Sequence, residues 1–442
     1  MSGPAAEKCP SFIQLPDTLP NTYGIRTSLE FTPAEQETLR RLAHRVAGLA
    51  EQPIQAVRRK WWTEHNDLVS DRPLVFCDPE YGWNEIIPQN ALECADPLAR
   101  VWEMHLRKEI FWGEEMLDDK VIESYFNVPY HYTDSKWGLQ EQRVGGEDGG
   151  AYTWELALKD YEEDFPKLRQ PVIDVDKGMS DTILGLATDI FGDILRVRRS
   201  TPWWHSLGMT WDYIALRDMD NFLMDFYDNP EYVHKVMKFM SDGNLAKIDW
   251  MEKNGYLWPN HEGTYVGSGG FGWTTQLPRE GFDPNHVGAM DMWGFTESQE
   301  TIGVGPEMFE EFIFQYQMPI MERFGLNCYG CCEPLDSRWH VVKRGPRLRR
   351  LSISAWADEK KMAEELGDGY VYSRKPSPTP LSLPRVDHDA IRKDLRNTLE
   401  ITRPNNCRVE LIMKDNHTLG GNPQNVVDWC RIAKEEIERM WG

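Results

Sequence analysis

The stretch from Pro306 to Leu335, PEMFEEFIFQYQMPIMERFGLNCYGCCEPL, contains a helix, a strand and a polar strand exit in succession. Proline stands at the helix start, and apolar residues recur from Phe309 at three- and four-residue spacing, which predicts an amphipathic helix ending at Gly325. A short apolar run over residues 327–330 then predicts a strand, and two cysteines and a glutamate follow it directly. This order is that of one unit of a parallel α/β fold.

The same alternation of strand and helix continues on both sides of this stretch, from about residue 170 onward. Another clear helix begins at Asn229-Pro230 and ends at Gly255. The predicted strands are Met290–Phe295, Asn327–Gly330, Leu351–Ala355, Tyr370–Ser373 and Arg408–Met413. Five such units in a row favour an α/β fold of the (β/α)8 TIM-barrel type over a doubly wound open sheet.

The glycine-rich segment Gly267–Gly272 has neither the spacing of a dinucleotide-binding turn nor that of a phosphate-binding loop. We interpret it as a loop at the mouth of the barrel.

The N-terminal third lacks this alternation of strand and helix. The whole chain is therefore predicted to have three regions. Residues 1–30 are proline-rich and read as a surface arm, residues 31–150 as a mostly helical extension packed on the barrel, and residues 151–442 as the barrel itself. Thr32-Pro33 predicts a capped helix start, and Leu74–Cys77 is one short strand-like run in the extension. Residues 135–150, rich in glycine and acidic side chains, predict an exposed loop.

Composition narrows the class of protein. The net charge of −22 disfavours a nucleic-acid partner, because phosphate backbones would be repelled. No apolar run reaches the length of a membrane span, and the N-terminus lacks a signal-peptide pattern, so we expect a cytoplasmic protein without a membrane partner. Eight cysteines in 442 residues predict reduced thiols rather than a disulfide framework.

Polar residues gather directly after the predicted strands. The C-terminal ends of strands converge on one face of a barrel, so these exits are where chemistry is expected. At any single exit, helix capping and salt bridges are the simpler explanation, but five coincident exits favour a site. The exits are Thr296–Glu300, Cys331–Glu333, Trp356, Ser373–Lys375 and Lys414–His417.

Cys331 and Cys332 allow two interpretations. They are either small buried side chains or, with Glu297 or Glu300, part of a zinc ligand set of sulfur and oxygen donors. Asp415-x-His417-x-x-Gly420 matches the short pattern by which corrinoid domains offer a histidine to cobalt, but the other signals of such a domain are missing. We therefore expect His417 to contact substrate or to tune a proton.

From about residue 170 to the C-terminus the chain resembles the uroporphyrinogen decarboxylase superfamily, most recognisably at Leu326–Leu335 and at Tyr372–Pro378. The superfamily consists of barrels and includes porphyrin-precursor decarboxylases and corrinoid-dependent methyltransferases, among them enzymes that demethylate methoxylated aromatics. The early Arg-Gln-Ala-Gly-Arg segment of the decarboxylases is missing here. Arg347, Arg349 and Arg350 do cluster, but at the predicted entry of a strand. The methyltransferases bind zinc through a His-x-Cys pair, whereas Tyr329-Gly-Cys331 carries tyrosine in place of the histidine.

The resemblance implies a methyltransferase that moves a methyl group from a small aromatic methyl ether to cob(I)alamin on a separate corrinoid carrier protein. Alternatives are a decarboxylase-like lyase acting on a smaller carboxylic acid, and a non-catalytic barrel subunit. The residues expected to carry catalysis are Glu297, Tyr329, Lys375, Asp415 and His417. Those expected to bind substrate are Trp203, Trp204, His205, Met209, Trp356 and Glu333, and those expected to bind a metal are Glu300, Cys331 and Cys332.

Overall fold

The protein is described by a computed structural model that covers residues 29–139, 142–145 and 152–442. Of the predicted N-terminal arm, only the last two residues fall within these ranges. The described α-helices are α1 Pro33–Ala50, α2 Pro53–Asn66, α3 Trp83–Ile86, α4 Pro97–Glu114, α5 Tyr161–Asp164, α6 Lys177–Phe191, α7 Thr210–Arg217, α8 Met219–Asp228, α9 Pro230–Asn254, α10 Pro306–Phe309, α11 Gln315–Met321, α12 Trp339–Val342, α13 Glu359–Leu366, α14 His388–Thr402 and α15 Gln424–Trp441. The described strands are β1 Leu74–Cys77, β2 Tyr125–Val128, β3 Tyr132–Asp134, β4 Gln142–Gly145, β5 Tyr152–Glu155, β6 Ile173–Val175, β7 Arg196–Arg199, β8 Trp293–Thr296, β9 Leu326–Tyr329, β10 Leu348–Ile353, β11 Val371–Arg374 and β12 Arg408–Met413.

Two predicted helices are confirmed with their end signals. At the start of α1, the Thr32 side chain accepts from the Glu35 amide while the Glu35 carboxylate accepts from the Thr32 amide, which is a complete capping box. Helix α9 ends at Gly255, whose φ of 70° favours glycine.

Six parallel strands form the main sheet, in the order β1-β12-β11-β10-β9-β8. Strand β1 pairs with β12 along its whole length, from Leu74 opposite Glu410 to Cys77 opposite Met413. The run predicted as an isolated strand of the extension is therefore part of this sheet, so the sheet takes one strand from before residue 151.

The predicted closure into an eight-stranded barrel is not seen among the described residues. The parallel pair β2 and β7 forms a separate sheet, and both edges of the main sheet are occupied by other groups. At the β1 edge, the Asp119 and Asp118 carboxylates accept from the amides of Val75 and Cys77. At the β8 edge, the Asn260 side chain bonds both the amide and the carbonyl of Trp293. These side chains satisfy the edge amides that closure would otherwise pair.

The glycine-rich segment lies outside the helices and strands of the described chain, and its residues 266–274 are all buried. A Cβ on Gly267 would lie 2.8 Å from the Cys328 side chain, and one on Gly270 would lie 2.9 Å from Arg350 and Glu410. Only a backbone without side chains can approach β9, β10 and β12 so closely, which explains the glycines.

A buried ionic network fills the sheet beside this segment. The Glu410 carboxylate lies 3.0 Å from Arg350 Nε and 3.3 Å from His65 Nε2, and Arg350 Nη2 donates to Asn66 Oδ1 at 2.6 Å. Arg350 therefore lies within β10 and pairs inside the protein, which corrects its predicted place at a strand entry.

Residues 135–150 contain more structure than the predicted loop. Strand β4, at residues 142–145, pairs antiparallel with β5, while residues 140, 141 and 146–151 fall outside the described chain. The exposed side chain of Val144 agrees with a surface location. Within the described ranges, no helix has the length and apolar character needed to cross a bilayer.

Candidate functional site

Lys414, the first residue after β12, is the centre of a buried polar cluster. Its ammonium nitrogen lies 3.4 Å from Ser268 Oγ, 3.8 Å from Cys331 Sγ, 3.7 Å from Glu80 Oε1 and 3.4 Å from Asp415 Oδ1. Glu80, Cys331 and Lys414 follow β1, β9 and β12 respectively, and Ser268 comes from the glycine-rich segment. The cluster therefore gathers at the C-terminal edge of the sheet, where parallel α/β folds place their sites.

The sulfur of Cys331 is the acceptor in this cluster. It accepts from Ser268 Oγ at 3.2 Å and from Lys414 Nζ, and it lies 3.7 Å from the Cys332 sulfur. The contact with Cys332 lowers the pKa of Cys331, burial raises it, and Lys414 lowers it again, which leaves it at about 7. Because Lys414 faces Cys331, we assign the thiolate of the pair to Cys331.

Two residues beside Lys414 have unusual backbones. Glu80 has a φ of 51° and Asp415 a φ of 61°, a region that residues other than glycine seldom adopt. Glu80 is 4% exposed, and its Oε1 has no hydrogen-bond partner among the described residues. Burial raises the pKa of Glu80 well above its ordinary value, although Lys414 partly opposes the shift. Backbone strain of this kind concentrates at functional sites.

Lys375 is a second buried ammonium group near the cluster. Its nitrogen donates to the carbonyl oxygen of Ser373 at 3.2 Å and to Ser373 Oγ at 2.5 Å, and Ser373 Oγ donates in turn to Glu410. Burial lowers the pKa of Lys375 to about 8, against the attraction of Glu410 and with the repulsion of Lys414. Lys375 is thus able to release a proton near neutral pH.

Two rings interact electrostatically with Lys414. Burial, followed by the charge of Lys414, lowers the pKa of His205 to about 4, so this imidazole is neutral. Tyr265 interacts electrostatically with Lys414, and burial raises the pKa of its hydroxyl well above the ordinary value. The phenol of Tyr265 therefore stays protonated.

Three predicted carboxylates lie at the exits of β8 and β9. Glu333 joins the two exits, because its oxygens accept from the amides of Ser298 and Cys331, each at 2.8 Å. Burial raises the pKa of Glu297 well above its ordinary value, with Glu300 and Glu333 adding to the effect. Burial also raises the pKa of Glu300 to about 7. Glu297 and Glu300 are therefore available as proton carriers rather than as permanent charges.

The structure separates Tyr329 and His417 from the cluster centre. The hydroxyl of Tyr329 donates to Gln317 Oε1 at 2.7 Å, and its ring contacts Phe314, so it packs between β9 and the helices. His417 is exposed, and its ring stacks on Tyr81 with centroids 5.2 Å apart. Neither side chain contacts Lys414 in the described part of the chain.

The predicted substrate-binding aromatics are dispersed. Trp203 is buried and donates from Nε1 to the carbonyl of Tyr256, Trp204 packs on Phe324, and Trp356 is 75% exposed. Met209 is buried at the start of α7. Of the predicted rings, His205 is the one with an electrostatic connection to Lys414.

The predicted metal ligands do not form one group. Glu300 accepts from Thr210 Oγ1 at 2.6 Å, whereas Cys331 faces Ser268 and Lys414. Within residues 29–139, 142–145 and 152–442, no three or more His, Cys, Asp or Glu side chains are arranged to hold a metal ion. An ammonium group, that of Lys414, stands against the thiolate where a metal would need to bind. The side chains present do not fit zinc, and no step below uses it.

Glu80, Ser268 and Lys414 were not among the residues predicted for the site, although Lys414 stands in one of the predicted strand exits. A signal for Glu80 was present, because Asp78-Pro79-Glu80 directly follows the predicted strand Leu74–Cys77. Ser268 lies in a segment that gave no sign of burial except its glycines.

Similarity to known proteins is limited. No family model matches the chain, and no curated protein matches it. Among solved structures, the chain is similar to a methyltransferase from Methanosarcina mazei, with 11% identity and a TM-score of 0.41 over 76% of this chain and 86% of that chain.

Proposed function

We propose that this protein is a methyltransferase that removes the methyl group from a small aromatic methyl ether and delivers it to cob(I)alamin on a separate corrinoid protein. The observation that carries the proposal is the Lys414 ammonium, held within 3.8 Å of Cys331, Glu80 and Asp415 at the C-terminal edge of the sheet.

The reaction needs positive charge and a proton at one oxygen. When bound on its carrier, the reduced corrinoid would supply the nucleophile that takes the methyl group. The bond between the methyl carbon and the ether oxygen breaks, and the oxygen keeps the electron pair as a phenolate. A fixed cation in a buried site stabilises such a charge far more than it would in water. Lys414 fits this role because Cys331, Asp415 and Glu80 keep its pKa well above the ordinary value, against the effect of burial.

Lys375 fits the role of proton donor. Its pKa of about 8 lies below that of a simple phenol, about 10 as in tyrosine, so transfer from the Lys375 ammonium to the phenolate is favourable. Ser373 holds the nitrogen in place through two hydrogen bonds. His205 and Tyr265, the rings that interact electrostatically with Lys414, are suited to flank an aromatic substrate.

The other two functions have less support. A lyase acting on carboxylic acids calls for arginines free to grip substrate, but Arg350 is paired with Glu410, and Arg374 with Glu359 at 2.9 Å. In a non-catalytic subunit, no function would require a thiolate, two lysines and a carboxylate on a strained backbone to lie close together.

The test mixes the purified chain with free cob(I)alamin and 2-methoxyphenol and follows the cob(I)alamin absorbance together with release of the phenol. We expect both signals to change at equal rates. The Lys414→Met variant should lose the activity, whereas Lys360→Met, a change of the same kind at an exposed position of α13, should keep it. If a broad panel of methoxyphenols and methylamines left cob(I)alamin unchanged, methyl transfer would be rejected.

A further inference from the structure

A second pocket lies away from the Lys414 cluster and shares no residue with it. The pocket has a volume of about 140 Å³ and is formed where β2 and β7 end, by Tyr130 and Arg199 to Thr201. The turn after α9, with Tyr256 and Trp258, forms another wall, and the segment around Asn285 completes it. Its size is close to that of cavities of ~150 Å³ that admit a single benzene ring.

The walls of this pocket are aromatic. The rings of Tyr130 and Tyr256 meet edge to face, with centroids 5.0 Å apart, and Trp258 lies beside them. Edge-to-face and stacked contacts with such rings favour a flat, conjugated ligand over an aliphatic one of equal size.

A guanidinium group is fixed at the same place. Arg199 lies 4.7 Å from the Tyr130 ring centroid, and it donates to the carbonyls of Pro129 at 2.9 Å and Ser180 at 2.8 Å. A third, longer contact of 3.5 Å reaches Asp181, a side chain that is 79% exposed. A guanidinium has five N–H groups, so donors remain for a ligand.

Trp258, one of the residues that line the pocket, carries a donor that is unpaired within the described chain. Trp258 Nε1 is buried and has no hydrogen-bond partner in the part of the chain that the structure describes. Indole nitrogen is a donor only, and leaving a buried donor unpaired costs free energy, so a ligand with an acceptor would gain from this position. Lys177, 6.0 Å from the Tyr256 ring, adds positive charge in a chain whose net charge is −22.

We propose that this pocket binds a small aromatic carboxylate, with its ring between Tyr130, Tyr256 and Trp258 and its carboxylate on Arg199 and Trp258 Nε1. The site is separate from the methyl-transfer site proposed above. Neither proposal depends on the other.

The probe is benzoate, titrated into the full chain by calorimetry without corrinoid or methyl donor. We expect saturable binding by one benzoate, and at least about tenfold weaker binding of benzyl alcohol, which has the ring without the charge. Trp258→Phe keeps a ring and removes only the donor, and it should weaken benzoate binding about tenfold. Trp441→Phe, the same change at the end of α15, should have no effect.

Arg199→Met should abolish benzoate binding, with circular dichroism confirming that the variant folds. Cys331→Ser and Lys414→Met should bind benzoate as the unaltered chain does. No heat of binding at about 10 mM benzoate would overturn the proposal. Unchanged affinity in Trp258→Phe would overturn it too, as would loss of binding in Lys414→Met, because the ligand would then occupy the methyl-transfer site.

Discussion

Glu410 lies within β12 and Lys414 directly follows it, yet the ionic groups around the two side chains are arranged differently. Glu410 is held at 3.0 Å by Arg350 and at 3.3 Å by His65, whereas the partners of Lys414 stand 3.4 to 3.8 Å away. Burial raises the pKa of Glu410, but Arg350 and His65 outweigh it and hold the pKa at about 2. At Glu80, by contrast, the effect of burial exceeds that of Lys414, so the pKa of Glu80 is raised.

The difference separates a structural network from a reactive one. Close pairing fixes the charge and position of Glu410 and leaves it little capacity for other partners. Looser contacts around Lys414, with Glu80 Oε1 lacking a hydrogen-bond partner within the described chain, leave positive charge and acceptors for a substrate. The strained backbones at Glu80 and Asp415 occur in the reactive cluster, not at Glu410.

The largest expected effect is on stability. Arg350→Met leaves the buried Glu410 carboxylate without its main partner, and we expect the free energy of unfolding to fall by about 3–5 kcal/mol. Urea denaturation followed by tryptophan fluorescence measures the change. Arg385→Met, at an exposed position, is the matched control. Equal stability of both variants would show that the network around Glu410 is not structural.

Lys414→Met should act on turnover instead. Loss of a fixed cation at the reacting oxygen is expected to lower kcat about 10²–10³-fold, as for the loss of one transition-state donor. Its urea midpoint should change less than that of Arg350→Met. If Lys414→Met had the same urea midpoint as Arg350→Met, and its folded fraction kept full kcat, the distinction between a structural and a reactive region would be wrong.

Acid should weaken the Glu410 network within a defined range. The folded-state pKa of about 2 lies below the ordinary value of 4.5, so the ionised group stabilises the fold above pH 4.5. This stabilisation is lost as the pH falls from 4.5 towards 2. Glu410→Gln lacks the titrating group, so the stability gap between it and the unaltered chain should narrow over that range. A constant gap would contradict the assignment.

Thiol reactivity tests the charge next to Lys414. Alkylation of Cys331 by iodoacetamide, followed by peptide mass spectrometry, should rise with pH around a midpoint of about 7. Lys414→Met should move the midpoint upward, because the thiolate loses its nearest cation. An unmoved midpoint would mean that Cys332 alone sets the pKa of Cys331.

The smallest expected effect is at His417. Its ring is exposed and stacks on Tyr81, so His417→Ala should change kcat/KM by less than about twofold, the usual size of a surface effect. A loss comparable to that of Lys414→Met would show that His417 reaches the substrate, as first predicted from its place after β12.

The sequence by itself determined the local elements. Strands β1 and β12 match the runs predicted for them. Helix α1 begins at its predicted signal, and α9 begins and ends at its predicted signals, because capping, proline and periodicity act over a few residues. Because functional groups of parallel α/β folds gather at the C-terminal ends of strands, the sequence alone also predicted Cys331, Lys375 and Asp415 as site residues.

Only the tertiary structure decided what those elements bring together. The parallel pairing of β1 with β12 and the buried path of the glycine-rich segment place Glu80 and Ser268 beside Lys414, although these residues are far apart in the chain. Packing against α11 determines on which side of β9 the Tyr329 side chain lies. Asp119 and Asn260 occupy the two edges of the sheet, which stays open. Burial likewise sets the pKa of Lys375 and of Glu80, because desolvation depends on all the atoms that surround a group and not on its neighbours in sequence.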